Sequence, residues 1–248
     1  MRAISSMATR SVLADLARAA ALAGLPTLQI ESVGGVDAAH RVAGGEAFDL
    51  VFLAEPALRG LADAGHVDAA TLVPLFVSQV AVAVPSRAPD EAAAPQGSAF
   101  RDAREVRAAL RAARRIGYST GPSGTALIDM IARWGLTDEL GDRLVQARPG
   151  VPVARLLAED EVDLGLQQLS ELIGAPGIRI LGTLPADCAI ETVFAGAVAS
   201  VSNVAAAGRE LLDFLRSPGA APVITGHSFS VPTSTAARSS AGILRRER

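Results

Sequence analysis

Short apolar runs take turns with amphipathic helical stretches along the whole chain, which confines it to an α/β architecture with helices packed on a sheet. The clearest run is Phe48-Asp49-Leu50-Val51-Phe52-Leu53. Its continuity marks a strand covered on both faces, as in a parallel sheet. Around it the pattern predicts a helix over residues 11–23, with Leu13, Leu16, Ala20 and Ala23 on one stripe, stopped by Gly24 and Pro26. A strand over 27–32, a Gly34-Gly35 turn and helices over 37–43 and 57–64 follow, then a long β-rich run over 75–84 ended by Pro85.

Residues 87–101 are polar and proline-bearing and read as an exposed loop. A second αβ series then begins. It has helices over 102–114 and 153–159, strands over 115–118 and 163–168, and a helix carrying Leu127, Met130, Ile131 and Trp134. Strands over 178–181 and 188–200 and a helix over 204–216 complete it, and the Ser/Ala/Arg-rich residues 233–248 are expected to fray. Two αβ series joined by two long strands predict two lobes, one formed by 1–80 with 195–232 and the other by 85–190. The chain is expected to cross near 78–85 and 191–199, leaving a ligand cleft between the lobes.

Small hydroxyl and glycine residues stand where strands give way to helices. They occur in Ile4-Ser5-Ser6-Met7-Ala8, in Ile30-Glu31-Ser32-Val33-Gly34-Gly35, and in Ile116-Gly117-Tyr118-Ser119-Thr120-Gly121-Pro122-Ser123-Gly124-Thr125. Any one of these could serve only as a helix cap. Their recurrence at equivalent turns points to backbone N–H groups and helix N-termini facing a small anion, since such turns share one edge of an open α/β sheet.

Composition narrows the partners. Half of the 248 residues are apolar and only 4% aromatic, so the core is expected to be aliphatic and its helices to pack through alanine. A net charge of −3, with no basic block long enough to follow a phosphate backbone, argues against nucleic acid. Cys188 is the only cysteine, which excludes an intrachain disulfide and a cysteine metal cluster, and His40, His66 and His227 show no metal-ligand spacing. No metal or cofactor is expected. No apolar run is long enough for a membrane span. Because Met1 runs directly into Arg2-Ala3-Ile4-Ser5, the chain as written is expected in the cytoplasm, or in the periplasm if a leader has been removed.

These strings, in this order, resemble the type II periplasmic binding proteins, and within them the molybdate-binding-protein-like branch. The resemblance is carried by Ile4-Ser5-Ser6-Met7-Ala8, by residues 48–55, by Gln79-Val80-Ala81-Val82-Ala83-Val84-Pro85 as a crossing strand, and by residues 162–171. It implies a two-lobed fold whose ligand is held by neutral hydroxyls and backbone N–H groups. The implied contacts are Ser5 or Ser6, then Ser32, Gly34, Gly35, Ser119, Ser123, Gly124 and Thr125, and Gln167 or Gln168. Molybdate binders typically carry a serine where this chain has Gly34-Gly35-Val36, and a tyrosine near Gln168. These departures favour an organic carboxylate over a molybdate-type oxyanion. An ABC-type permease is the implied partner if a leader has been removed. Relatives of this branch include aconitate isomerase, so an isomerase or tautomerase of a small di- or tricarboxylic acid is the alternative. For its base, Glu31, Asp49, Glu55, Glu171 and the three histidines are candidates, and no spacing singles one out.

Overall fold

A computed structural model describes residues 1–86, 95 and 97–232. The expected loop over 87–101 lies largely outside the described residues, and the tail from 233 lies wholly outside them.

The chain opens with β1 (Arg2–Ser6), α1 (Arg10–Leu22), β2 (Gln29–Val33), α2 (Gly35–Ala43), β3 (Leu50–Ala54) and α3 (Glu55–Asp63), followed by the long β4 (Val73–Pro85). The second series holds α4 (Ala103–Ala112), β5 (Ile116–Tyr118), α5 (Pro122–Arg133), α6 (Thr137–Leu140), β6 (Leu144–Gln146), α7 (Val153–Ala158), β7 (Leu164–Gln168), α8 (Leu169–Leu172) and β8 (Ile178–Thr183). The chain then returns through β9 (Glu191–Val198) to α9 (Ala205–Leu215) and α10 (Ala221–Gly226). The strands run in the order β2-β1-β3-β9-β4-β7-β5-β6, with β8 also paired to β4.

Alternation along the central strands explains why their runs are continuously apolar. In β3, Leu50, Phe52 and Ala54 enter a core under α1, α9 and α10, while Val51 and Leu53 enter another beneath α2 and α3. In β4, Val80 and Val82 face a core lined by α4 and α5, and Ala81 and Ala83 face one lined by α7 and α8. Each half of the sheet is thus covered by helices on both faces, which leaves no solvent side to demand polar residues. Burial of each large aliphatic side chain contributes roughly 1.5–3 kcal/mol. Gly196 is required on β9 because a Cβ there would stand 2.7 Å from Leu212 Cδ2 and 2.9 Å from the Phe52 ring, so α9 packs directly on the strand.

Several expected bounds shift for identifiable reasons. The run expected over 188–200 begins its strand at Glu191, because Ala186–Cys188 forms a 3-10 turn after Pro185. Cys188 is half-buried on that turn, and burial first, then the adjacent Asp187, pushes its thiol up to about 11. Sequence periodicity missed α6, β6, α8 and α10, each six residues or fewer.

Candidate functional site

Strand direction brings the carboxyl ends of both halves face to face. β1 pairs in parallel with β2 and β3, so these three strands end at one edge. β3 and β4 are both antiparallel to β9; β4 therefore runs the same way as β3 and carries the chain past that edge. Its pairing changes from β9 to β7 between Gln79, opposite Glu191, and Val80, opposite Gln168. β7 runs back against β4, and β5 runs parallel to β7, so both point their carboxyl ends at those of β1, β2 and β3.

The helices that start at these strand ends begin without side-chain caps. Gly34, Ala54 and Gly121 precede α2, α3 and α5, and none makes a capping bond. Among the described α-helices only α4 is capped, by Asp102 accepting from the N–H groups of Arg104 and Glu105; what sets α2, α3 and α5 apart is that they start at the ends of these strands. The first-turn N–H groups of these three helices retain donor capacity toward an anion.

In the first turn, Ser5 is fully buried between β2 and β3, and its Oγ lies 2.8 Å from Ser32 Oγ. These two hydroxyls satisfy each other. Ser6, one residue nearer the strand end, is buried with its Oγ unpartnered, and its carbonyl accepts from Thr9 Oγ1. Gly34 has open space where a Cβ would be, and a Cβ on Gly35 would meet Ser6 Cβ at 3.7 Å, so the glycines keep the ground beside Ser6 clear.

In the third turn, Ser119 Oγ and Ser123 Oγ lie 3.0 Å apart and Ser123 is buried, whereas Thr125 is exposed. Gly124 has a packing reason for its identity, because a Cβ there would fall 1.8 Å from the Ser119 carbonyl oxygen. The turn can close only with glycine at that position.

The adjacent glutamines of β7 point to opposite faces. Gln167 Oε1 accepts from the Val153 N–H at 2.8 Å, and its amide neighbours the Glu171 carboxyl. Gln168 Nε2 donates to Thr192 Oγ1 at 2.6 Å and leaves Oε1 buried and unpartnered. Thr192 pairs across from Ser78, a fully buried residue whose Oγ also lacks a partner. Ser170 Oγ, two residues beyond Gln168, is in the same condition. Sequence reading passed over Ser78, Thr192 and Ser170. Ser78 did leave a trace, as a polar break with Gln79 inside an otherwise apolar run.

The proposed bases separate clearly. Arg41 clasps Glu31 and Glu46, and its hydrogen bond holds the Glu31 carboxyl below the usual range. Asp49 accepts from the Arg2 N–H and Ser202 Oγ at the amino end of β3, remote from the facing edges. Glu55 pairs with Arg59 along α3, and His227 lies 2.9 Å from Asp15. Glu171 on α8, half-buried, is different: desolvation pushes its carboxyl up to about 7, opposed only by the neighbouring Gln167 amide.

Among the described residues, no helix is long and apolar enough to cross a membrane, and no group of three or more His, Cys, Asp or Glu side chains could hold a metal ion.

Residues 2–230 match the family model described as bacterial extracellular solute-binding protein. The chain is 33% identical over 185 residues to an aconitate isomerase from a Pseudomonas species, spanning 75% of this chain and 68% of that protein. It superposes on the Azotobacter vinelandii periplasmic molybdate-binding protein with a TM-score of 0.73 at 18% identity, covering 94% of this chain and 100% of that one. PEB3, a protein of Campylobacter jejuni, in a structure with L-phospholactate bound gives a TM-score of 0.68 at 16% identity, covering 94% and 100%. With its two αβ lobes joined by β4 and β9, a fold shared with the molybdate-binding protein, the chain belongs to the bacterial extracellular solute-binding protein family.

Proposed function

We propose that the chain is a solute-binding protein that closes around a small organic carboxylate at the meeting of the two lobes. The observation that carries this reading is that Ser6 Oγ and Gln168 Oε1, on the last residues of β1 and β7 at the facing edges, and Ser78 Oγ on the crossing strand β4 are buried and unpartnered, while α2 and α5 start uncapped at those same edges. Buried polar groups are ordinarily paired, so orphans at both facing edges call for a ligand to complete them. Ser123 and the N–H groups at the starts of α2 and α5 supply further donors.

Two features favour a carboxylate over a tetrahedral oxyanion. The Gln168 amide offers a planar partner, and because Thr192 Oγ1 can donate or accept, the free end of that amide can serve as carbonyl or as NH2. Met7 and Val36, beside Ser6 and Gly35, are 39% and 55% exposed, which suits a ligand with a hydrocarbon skeleton. The PEB3 structure with L-phospholactate provides an example of this fold holding an organic acid.

A second reading is favoured by the likeness to aconitate isomerase and by Glu171. An isomerase that shifts a double bond needs a base to take a proton from carbon beside a carboxylate and return it elsewhere, with donors stabilising the dienolate. A carboxyl near neutrality with no cation partner is suited to that exchange. The receptor reading implies work outside the cytoplasm with an ABC-type permease, whereas the isomerase reading fits the cytoplasm.

A thermal-shift panel of citrate, cis- and trans-aconitate, short dicarboxylates, sulfate, molybdate and tungstate tests the site, since a ligand that binds only the folded state raises its melting temperature. Carboxylates are expected to give the largest shifts. NMR of the hit incubated with protein then separates the readings, an unchanged spectrum supporting the receptor and a new vinyl resonance the isomerase.

A further inference from the structure

Glu171 occupies the seam between the lobes. Its helix, α8, starts at the cleft end of β7 and rests on the Met7–Thr9 turn that follows Ser6 in the facing lobe. Gln167, held in place by the Val153 N–H, is the polar neighbour of the Glu171 carboxyl. Within three residues of it in sequence stand Ser170 and Gln168, each with an unused buried polar atom.

The elements packed on α8 are that turn, β4, β7 and α7. Their charged side chains are few. Arg155 of α7 pairs with Glu159 at 2.8 Å, and Arg10, next after the turn, is exposed. Neither acts on Glu171, where burial raises the carboxyl and Gln167 alone opposes it.

We propose that Glu171 is the proton-linked group of the anion site, taking a proton from solvent as an anion enters and then donating its O–H to the bound ligand. The inference rests on reading the interlobe cleft as an anion site. An ionised Glu171 would repel an incoming anion, so anion binding favours the protonated carboxyl and the protonated carboxyl favours anion binding. Protonation removes that repulsion and turns an acceptor-only carboxylate into a donor. Binding must therefore weaken as pH rises through the range in which free Glu171 ionises.

Isothermal titration with trans-aconitate, sulfate and molybdate, all essentially fully ionised from pH 7.5 to pH 8.5, tests this in two buffers of different ionisation enthalpy. At pH 8 the wild-type protein should take up close to one proton per anion. Its affinity should fall by up to about tenfold per pH unit above neutrality. Glu171→Gln should bind with no uptake and a flat profile. An anion that binds the wild-type protein without proton uptake, or uptake that persists in Glu171→Gln, overturns the inference and leaves the cleft reading standing. A panel in which no anion binds removes both. If the variant does not fold, the wild-type proton count alone decides.

Discussion

A buried hydroxyl without a partner costs folding free energy, on the order of 1–3 kcal/mol, and Ser6 and Ser78 each carry one. Replacing either by alanine should therefore leave the ligand-free protein as stable as before or more so, while binding weakens by about 1.5–3 kcal/mol if the hydroxyl bonds a charged ligand. Ser5→Ala should do the reverse, because it removes the 2.8 Å bond to Ser32 and should cost about 1 kcal/mol of stability. Urea melts read the first effect and calorimetry the second; Ser6→Ala with lower stability and unaltered binding would assign Ser6 to the scaffold. The sequence pointed to the Ser5-Ser6 pair but could not divide it, since which hydroxyl finds a partner depends on where β2 places Ser32. The same holds for Gln167 and Gln168, which a strand necessarily sends to opposite faces.

At the scale of elements, the turn into α5 combines a packing requirement with a binding one. Gly124→Val should destabilise the fold outright, because the Cβ alone would overlap the Ser119 carbonyl. Ser123→Ala should fold normally and bind ligand more weakly, by about 1.5–3 kcal/mol if its hydroxyl meets a charged group. Circular dichroism melts beside calorimetry distinguish the two, and equal, unaltered binding by Ser123→Ala and the wild-type protein would make this turn a helix start and nothing more. The helices and strands with clear periodicity were legible, down to the change of series after Pro85. What escaped was short. α8 spans only Leu169–Leu172, too few residues for a helical stripe, yet it seats Glu171 in the seam. Nothing local distinguished Glu171 from Glu31 or Glu55; their difference is Arg41 and Arg59 on one side and burial on the other.

For the whole molecule, the two crossing strands carry the connection between the lobes and, in the proposed function, part of the site. Ser78 and Thr192 sit on β4 and β9 beside the change of pairing, and the C-terminal segment braces the place where Val77 and Ser230 exchange backbone bonds of 2.8 and 2.9 Å. Phe229 packs there against Phe76 and Phe194, with ring centroids 5.6 and 6.3 Å away. Phe229→Ala should cost about 3–5 kcal/mol, measured by denaturant unfolding. Glu171 makes the ligand-free protein pH-sensitive as well. Its folded carboxyl is raised from 4.5 to about 7, so the stability it contributes is complete below the unfolded value and is lost as pH rises through the folded one. Between those limits the loss is at most on the order of 3 kcal/mol. Glu171→Gln should therefore narrow the difference in stability between pH 5 and pH 8, and melts of the two proteins at both values check it.

The claim on which the rest depends is that this cleft selects an organic carboxylate. Calorimetric titration of the ligand-free protein with trans-aconitate and, separately, with molybdate measures that selection directly. A carboxylate affinity at least about tenfold higher, a difference near 1.4 kcal/mol, is the predicted result. Submicromolar molybdate binding with no response to carboxylates would contradict the account and make the chain an ordinary oxyanion receptor.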